Sequence, residues 1–215
     1  MLTITTPAAA RDFTTVEAVK RQLALQTEAE DARIAQWIEQ ASDAIRTWCD
    51  REFSRQTYTE KLAGHGGTLL TLARAPIVSV ASVALKGEPV VDYAIEDAEA
   101  GLLFREQGWA ETVALGWHLI GSPHPRGDLP HYTVLYVAGY LLPTEENSTL
   151  PRDIERGCIE LVKWYRSGKA GKSGGAVSSK RVGDVSLSYF DEGAEEPQLP
   201  REVRGLLRPW RRVLP

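Results

Sequence analysis

Long apolar runs are missing from this chain of 215 residues, and so are most of the patterns that mark an enzyme. No stretch approaches the roughly 18 consecutive apolar residues that cross a bilayer, so no membrane partner is expected. Cysteine is scarce. Cys49 and Cys158 are too few for a disulfide scaffold, and both fall on predicted helices, which fits a reduced, cytoplasmic setting and a shared small helical core. The opening MLTITTPAAARDF has neither a basic n-region nor an apolar h-region, so no secretory signal is expected. Positive charge is not in excess: 25 Lys and Arg face 29 Asp and Glu, a net charge of -4, without the overall signature of a nucleic-acid binder. The histidines His65, His118, His124 and His131 show no metal-ligand spacing among themselves or with cysteine. There is no G-x-S-x-G, and Cys49 has no evident base beside it. The acid pairs Asp43/Asp50 and Glu195/Glu196 read as ordinary surface charge. Nothing assembles a catalytic, metal or cofactor site, and the chain reads as a non-enzyme.

What is present fits a soluble globular protein: 43% hydrophobic and 25% charged residues, at a length suited to one domain or a small domain with a sizeable insertion. Six tryptophans imply a firm core or aromatic anchors at an interface. The first part reads as helical. Thr14 and Glu17 have capping-box spacing before Val16, Val19 and Leu23. A second box, Thr27 with Glu30, opens a longer helix ending near Asp50, whose apolar set Ile34, Trp37, Ile38, Ala41, Ile45, Trp48 and Cys49 follows one helical face.

From about residue 57 to 140 the pattern becomes β-branched and aromatic: TYTEKL, TLLTL, IVSVASVAL, ETVALGWHLI and HYTVLYVAGY, separated by glycine and proline turns. This predicts an inserted antiparallel β module. Helix returns at Pro151, with Ile154, Cys158, Leu161, Val162 and Tyr165 on its buried face, and RVGDVSLSYF reads as a strand or hairpin. The expected class is α+β: a small helical bundle with an inserted antiparallel β module and an extended C-terminal arm. Its parts are residues 1–56 as N-terminal helices, 57–145 as the β insertion, 146–168 as a core helix, 169–199 as a flexible basic loop and acidic hairpin, and 200–215 as a docking arm.

Gly171-Lys172-Ser173 resembles the end of a phosphate-binding loop, but the glycine that G-x-x-x-x-G-K-[ST] requires falls on Arg166, and a helix ends here where one should begin. The stretch reads better as a loop after a helix C-terminus, with Lys163, Arg166 and Lys169 complementing the helix dipole. Residues 163–181 hold Lys163, Arg166, Lys169, Lys172, Lys180 and Arg181 with no acid among them, and Asp184, Asp191, Glu192, Glu195 and Glu196 follow. Such neighbouring blocks are ordinarily solvated surface, and they also suit copies packed head to tail in a ring. At the C-terminus, Leu199, Val203, Leu206, Leu207 and Trp210 form an apolar face, while Arg201, Arg204, Arg208, Arg211 and Arg212 form a basic face opposed only by Glu202. Two readings stand: a last helix docked on its own core, or an arm that anchors in a partner's groove.

The order of segments resembles a known family. TPAAARDFTTVEAVKRQL leads into DARIAQWIEQASDAIRTWCDREF, and then come LARAPIVSVASVAL, Tyr93-Ala94-Ile95, Gly101-Leu102-Leu103, YTVLYVAGY, LPRDIERGCIELVKWYRS and PREVRGLLRPWRRV. The ordered combination is similar to the head–tail connector (adaptor) proteins of tailed bacteriophages, in the longer form with a β insertion. That resemblance implies a structural role in the virion neck, with host cytoplasm as the place of assembly. It implies a ring of copies, twelve on a dodecameric portal, that extends the DNA channel and lets the genome pass without specific binding. Its partners would be the portal protein, a stopper or tail-completion protein, and further copies of itself. Carried onto this chain, the portal-interface candidates are Leu206, Leu207, Arg208, Trp210, Arg211 and Arg212. The subunit-interface or channel candidates are Arg166, Lys169, Lys172, Lys180, Arg181, Asp191 and Glu192. The alternatives are another neck or tail-completion protein, a nucleotide-binding protein of phage DNA metabolism resting on the Gly-Lys-Ser stretch, and a DNA-binding module whose affinity falls steeply with salt.

Overall fold

The computed structural model describes residues 1–112, 131–167, 179–182, 185–188 and 199–212. Part of ETVALGWHLI, His118, His124, most of the glycine-lysine loop and the acidic run after Ser188 lie outside these residues. The fold is mixed α+β with antiparallel sheets, as the patterning predicts. The chain divides into two units: Met1–Ala9 with Glu52–Tyr140, and Ala10–Arg51 with Leu141–Pro215.

Among the described residues, the first unit contains strands and no helix. Its strands are β1 (Leu2–Thr6), β2 (Gln56–Leu62), β3 (Leu69–Thr71), β4 (Ile77–Leu85), β5 (Glu88–Pro89), β6 (Ala94–Asp97), β7 (Leu102–Phe104) and β8 (Tyr132–Ala138). Five form one antiparallel sheet in the order β1-β2-β8-β4-β5, and three form a second in the order β3-β7-β6. Residues 77–85, IVSVASVAL, fold as strand over their whole length, because β-branched side chains pack well on a pleated surface. Strict alternation on β8 buries Tyr132, Val134, Tyr136 and Ala138. Trp109 completes this core, edge-on to Tyr132 at 5.1 Å, with its indole N–H donating to Thr68 O.

Two buried polar groups satisfy each other here. Glu60 Oε2 accepts from the Tyr136 hydroxyl at 2.7 Å and from the Ala73 N–H at 3.0 Å. Burial and the adjacent carboxylate push the Tyr136 hydroxyl far above the usual phenol range. Gly139, at φ +107°, is required: a β-carbon there would lie 2.5 Å from Ser54 O, where Tyr140 N–H donates to Phe53 O.

Residues 2–6 depart from the helical reading of the N-terminal part. LTITT is strand because its Thr and Ile residues pair antiparallel with β2, Leu2 opposite Glu60 and Ile4 opposite Tyr58.

The second unit holds α1 (Val16–Leu23), α2 (Asp31–Cys49), α3 (Arg152–Arg166), a hairpin of β9 (Ser179–Val182) and β10 (Val185–Ser188), and α4 (Arg201–Leu207), which runs into a 3-10 turn at Arg208–Trp210. The cap of α1 is Thr15, whose Oγ1 accepts from the Ala18 N–H at 3.2 Å; Thr14 is buried instead. Thr27 accepts from the Ala29 N–H in a turn ahead of α2, which starts at Asp31 after a Glu30 cap without a side-chain bond. Both expected capping boxes are therefore displaced, since local spacing does not fix where a helix enters a packed core.

Ile34, Ile38, Ala41, Ile45 and Cys49 of α2 are buried, as are Ile154, Cys158, Leu161 and Val162 of α3, while Trp37, Trp48 and Tyr165 flank the seam half-exposed. Cys158 Sγ lies 3.7 Å from Ser42 Oγ. Burial holds both thiols up at about 12.

Candidate partner interface

Of the expected docking arm, residues 200–215, the structure describes 200–212; together with Leu199 this segment closes onto its own unit through its apolar stripe and leaves its basic one in solvent. Val203 and Leu207, four residues apart, share one face of α4 and are buried, as is Leu199 just ahead of the helix. That face fits against α3 because Gly157 has no side chain: a β-carbon built there would lie 3.2 Å from Leu207 Cδ2. Pro200 stands at the N-cap with ψ 144°, and Pro209 lies in the 3-10 turn that ends the segment. Beyond it, Arg212 N–H donates to Cys49 O at 2.8 Å, which satisfies a carbonyl that the C-terminus of α2 leaves without a helical donor.

This contact brings together side chains from two distant stretches. The Arg211 guanidinium lies 5.2 Å from the centre of the Trp48 ring, and Arg51 lies 5.9 Å from that of Trp210. Each such pair is worth about 0.5–1 kcal/mol at an exposed site. Arg201, Arg204, Arg208, Arg211 and Arg212 are all exposed, with only Glu202 among them. Helix geometry has sorted the segment: its apolar side chains face inward, and its arginines lie toward solvent.

The sequence-derived candidates are thus split. Leu207 is wholly buried, so its side chain holds the segment in place and is not available to a partner in this conformation. Leu206 and Trp210 are half-buried, while Arg208, Arg211 and Arg212 face solvent. Trp48 and Arg51 belong to the same patch and were not expected there; they lie about 160 residues earlier, and the Arg212–Cys49 hydrogen bond and the two arginine–tryptophan contacts join the two stretches.

Among the second group of candidates, Arg166 is not an uncompensated cation. Its Nε sits 3.0 Å from Glu30 Oε2, and Lys163 pairs with Glu160 at 2.8 Å. The fold supplies Glu30 from the start of α2, an acid that a local count of charge misses. Lys180 and Arg181 lie on β9, opposite Leu187 and Ser186 of β10. Lys169, Lys172, Asp191 and Glu192 lie outside the described residues.

A further charged cluster lies near the start of this unit. Arg46, 9% exposed, stacks over the Phe13 ring at 4.8 Å and bonds Asp43 and the Arg11 carbonyl. Asp12 beside it has its pKa raised, first by burial and then by the Glu39 carboxylate. The cluster ties residues 11–13 to α2.

No curated protein matches the chain. Solved structures do, along its whole length. It is similar to chains in the virion of a native gene transfer agent particle (TM-score 0.56, 19% identity), in the neck of an empty particle solved with C6 symmetry (0.57, 19%) and in the neck of a native particle solved with C12 symmetry (0.56, 17%). Each alignment covers 100% of this chain and 97% of the other. At such identity the likeness establishes a shared fold. The family follows from the sequence itself: a family model described as Head completion protein matches residues 12–213, and this chain belongs to that family.

Proposed function

We propose that this chain is the adaptor subunit of a head–tail neck. As a head completion protein it is a structural component of the virion. In the proposed arrangement, copies form a ring on the portal vertex, twelve to match a twelve-fold portal, and the ring extends the channel through which DNA passes. A stopper or tail-completion protein binds its far side. Its work is binding and assembly; no reaction is assigned to it. Similarity to chains in gene transfer agent necks, one solved with C12 symmetry, supports the ring.

The observation that carries the reading is the run of exposed arginines Arg204, Arg208, Arg211 and Arg212, with Arg211 set on the Trp48 ring and Arg51 on that of Trp210, on a segment whose apolar side is already occupied. Tryptophan and arginine dominate interface hot spots because they combine large contact area with directed hydrogen bonds. An acidic surface on the portal is the complement that such a patch selects. The nucleotide-binding alternative has no support from the family or the fold.

The test is negative-stain microscopy of lysates in which this gene carries an early stop codon. Separate heads and complete tails should accumulate, and supplying the protein in trans should restore joined particles. Intact infectious particles without the protein would refute the neck assignment. Supplying Arg208→Glu should leave the protein folded while lowering the yield of joined particles at least ten-fold.

A further inference from the structure

The five-stranded sheet ends at β1 on one side and at β5 on the other, where the two residues Glu88 and Pro89 guard the edge but leave most of β4 beyond their reach among the described residues. Natural sheets guard their edges with charge, proline or cover. Here β1 carries no charged residue over Leu2–Thr6, and β4 carries none over Ile77–Leu85, in a chain that is 25% charged. The short β5 covers only Ala84 and Leu85 of β4. Next to it, Val83 O accepts from Val90 N–H, and at the other end Ile77 N–H donates to Ala98 O. Between these points, Val78–Ser82 has no partner strand on its outer side among the described residues. Two bulges against β8 set Val78 and Ala81 as extra residues on this edge. By contrast, β6 carries Glu96 and Asp97, and β3 is three residues long.

Apolar surface collects at the same two places. The large hydrophobic side chains left exposed include Ile4 on β1, at 54%, and Val78, Val91 and Ile95 beside the β4 edge. The last two help line a groove of about 560 Å³ that runs along Val80–Val83, with Pro89–Ile95 as its other wall. On β1 the hydrogen-bond phase is fixed, because Met1 and Lys61 exchange both backbone bonds at 2.8 Å. Alternation then turns the N–H and C=O of Leu2 and Ile4 outward, away from β2.

We infer that β1 of one copy adds to the open β4 edge of the next, lying in this groove, so that the five-stranded sheets join edge to edge around the ring. The occupant is a second copy because both uncharged edges belong to one sheet. Each strand in the series β1, β2, β8, β4 is antiparallel to its neighbour, so β4 runs opposite to β1. Repeating the chain head to tail therefore sets β4 against the next β1 antiparallel, and the alternation continues through every copy. Such a contact is heterologous and can close into a ring. The inference deepens the ring reading and rests on it for closure.

The test places thiols on both edges of the full chain, Ile4→Cys with Val78→Cys, and applies a short bis-maleimide to the purified protein at high concentration and to particles. Ser82→Cys, also exposed on the open edge, serves if Val78→Cys does not fold. The native cysteines are buried and stay silent. The double variant should give a ladder of cross-linked multimers at more than ten times the level of the unsubstituted chain. An equimolar mixture of the single variants should stop at dimers, and either single variant alone should give none. Dimers from Ile4→Cys alone would overturn the inference in favour of two-fold pairing, and so would the absence of cross-links from both purified chain and particles. Particles that contain the chain without the ladder would remove the strand pairing and leave the neck assignment standing. A ladder from the purified protein, with the protein itself absent from particles, would leave the strand pairing standing and remove the neck assignment.

Discussion

Leu207→Ala tests whether the arginine patch is presented by packing of α4 on α3. The substitution removes three buried carbon groups at about 0.8 kcal/mol each, or about 2.4 kcal/mol of transfer free energy. Leu207 is 0% exposed and packs across the seam against Gly157, which has no side chain to follow into the gap. A residual cavity therefore adds to the loss, and about 3 kcal/mol is expected for the helical unit. Urea unfolding followed by tryptophan fluorescence measures it, together with hydrogen exchange at the Arg212 amide, which Cys49 O holds in the native fold. If α4 docks with less free energy than this, the segment detaches, the loss stops at the docking energy, and the Arg212 amide exchanges freely. Adding Gly157→Ala to Leu207→Ala should restore about 1 kcal/mol, because alanine favours the helix by roughly that amount and its methyl group enters the vacated space. A change of less than about 0.5 kcal/mol with Arg212 still protected lies within the range of neutral surface substitutions and would refute the packing argument.

Three further outcomes follow from the same structure. Tyr136→Phe removes the hydroxyl that donates to buried Glu60, a bond worth about 1.5–3 kcal/mol when its acceptor is a carboxylate; the loss should appear in thermal unfolding and shrink to about 0.5–1.5 kcal/mol when Glu60→Gln, whose amide oxygen still accepts, is the background. Alkali should weaken the fold. Burial raises the Cys49, Cys158 and Tyr58 pKa values to about 12, so their contribution is complete below the ordinary thiol range near about 8.5 and falls away as pH climbs toward their folded values; stability flat from pH 8 to 11 would contradict this. The pair Arg204→Glu and Arg208→Glu should shift the melting temperature by no more than a degree or two, since both side chains are exposed, while head–tail joining in a complementation assay is lost.

Much of the architecture is legible without coordinates where local pattern and burial agree. The α2 stripe from Ile34 to Cys49 follows from periodicity, because one face is in contact with a core, and the strand Ile77–Leu85 follows from its run of β-branched residues despite two bulges that break its alternation. LTITT at residues 2–6 could have been read the same way, since its Thr and Ile residues are β-formers, but a five-residue edge strand gives little signal beside the helical pattern that follows. Trp109 is wholly buried, yet it sits among turn residues with no periodicity around it, so nothing local marks it as the centre of a core.

The sequence by itself determined the family, the mixed class, the inserted β region and the basic C-terminal face, because each resides in the order and spacing of residues along the chain. Tertiary structure decided what those residues touch. It sent Leu207 into the seam beside Gly157, set Glu30 against Arg166, closed Arg212 onto the end of α2, and placed the uncharged strands β1 and β4 at opposite sides of one sheet. These are contacts between residues far apart in sequence, and their free energy depends on distances that composition and periodicity do not contain.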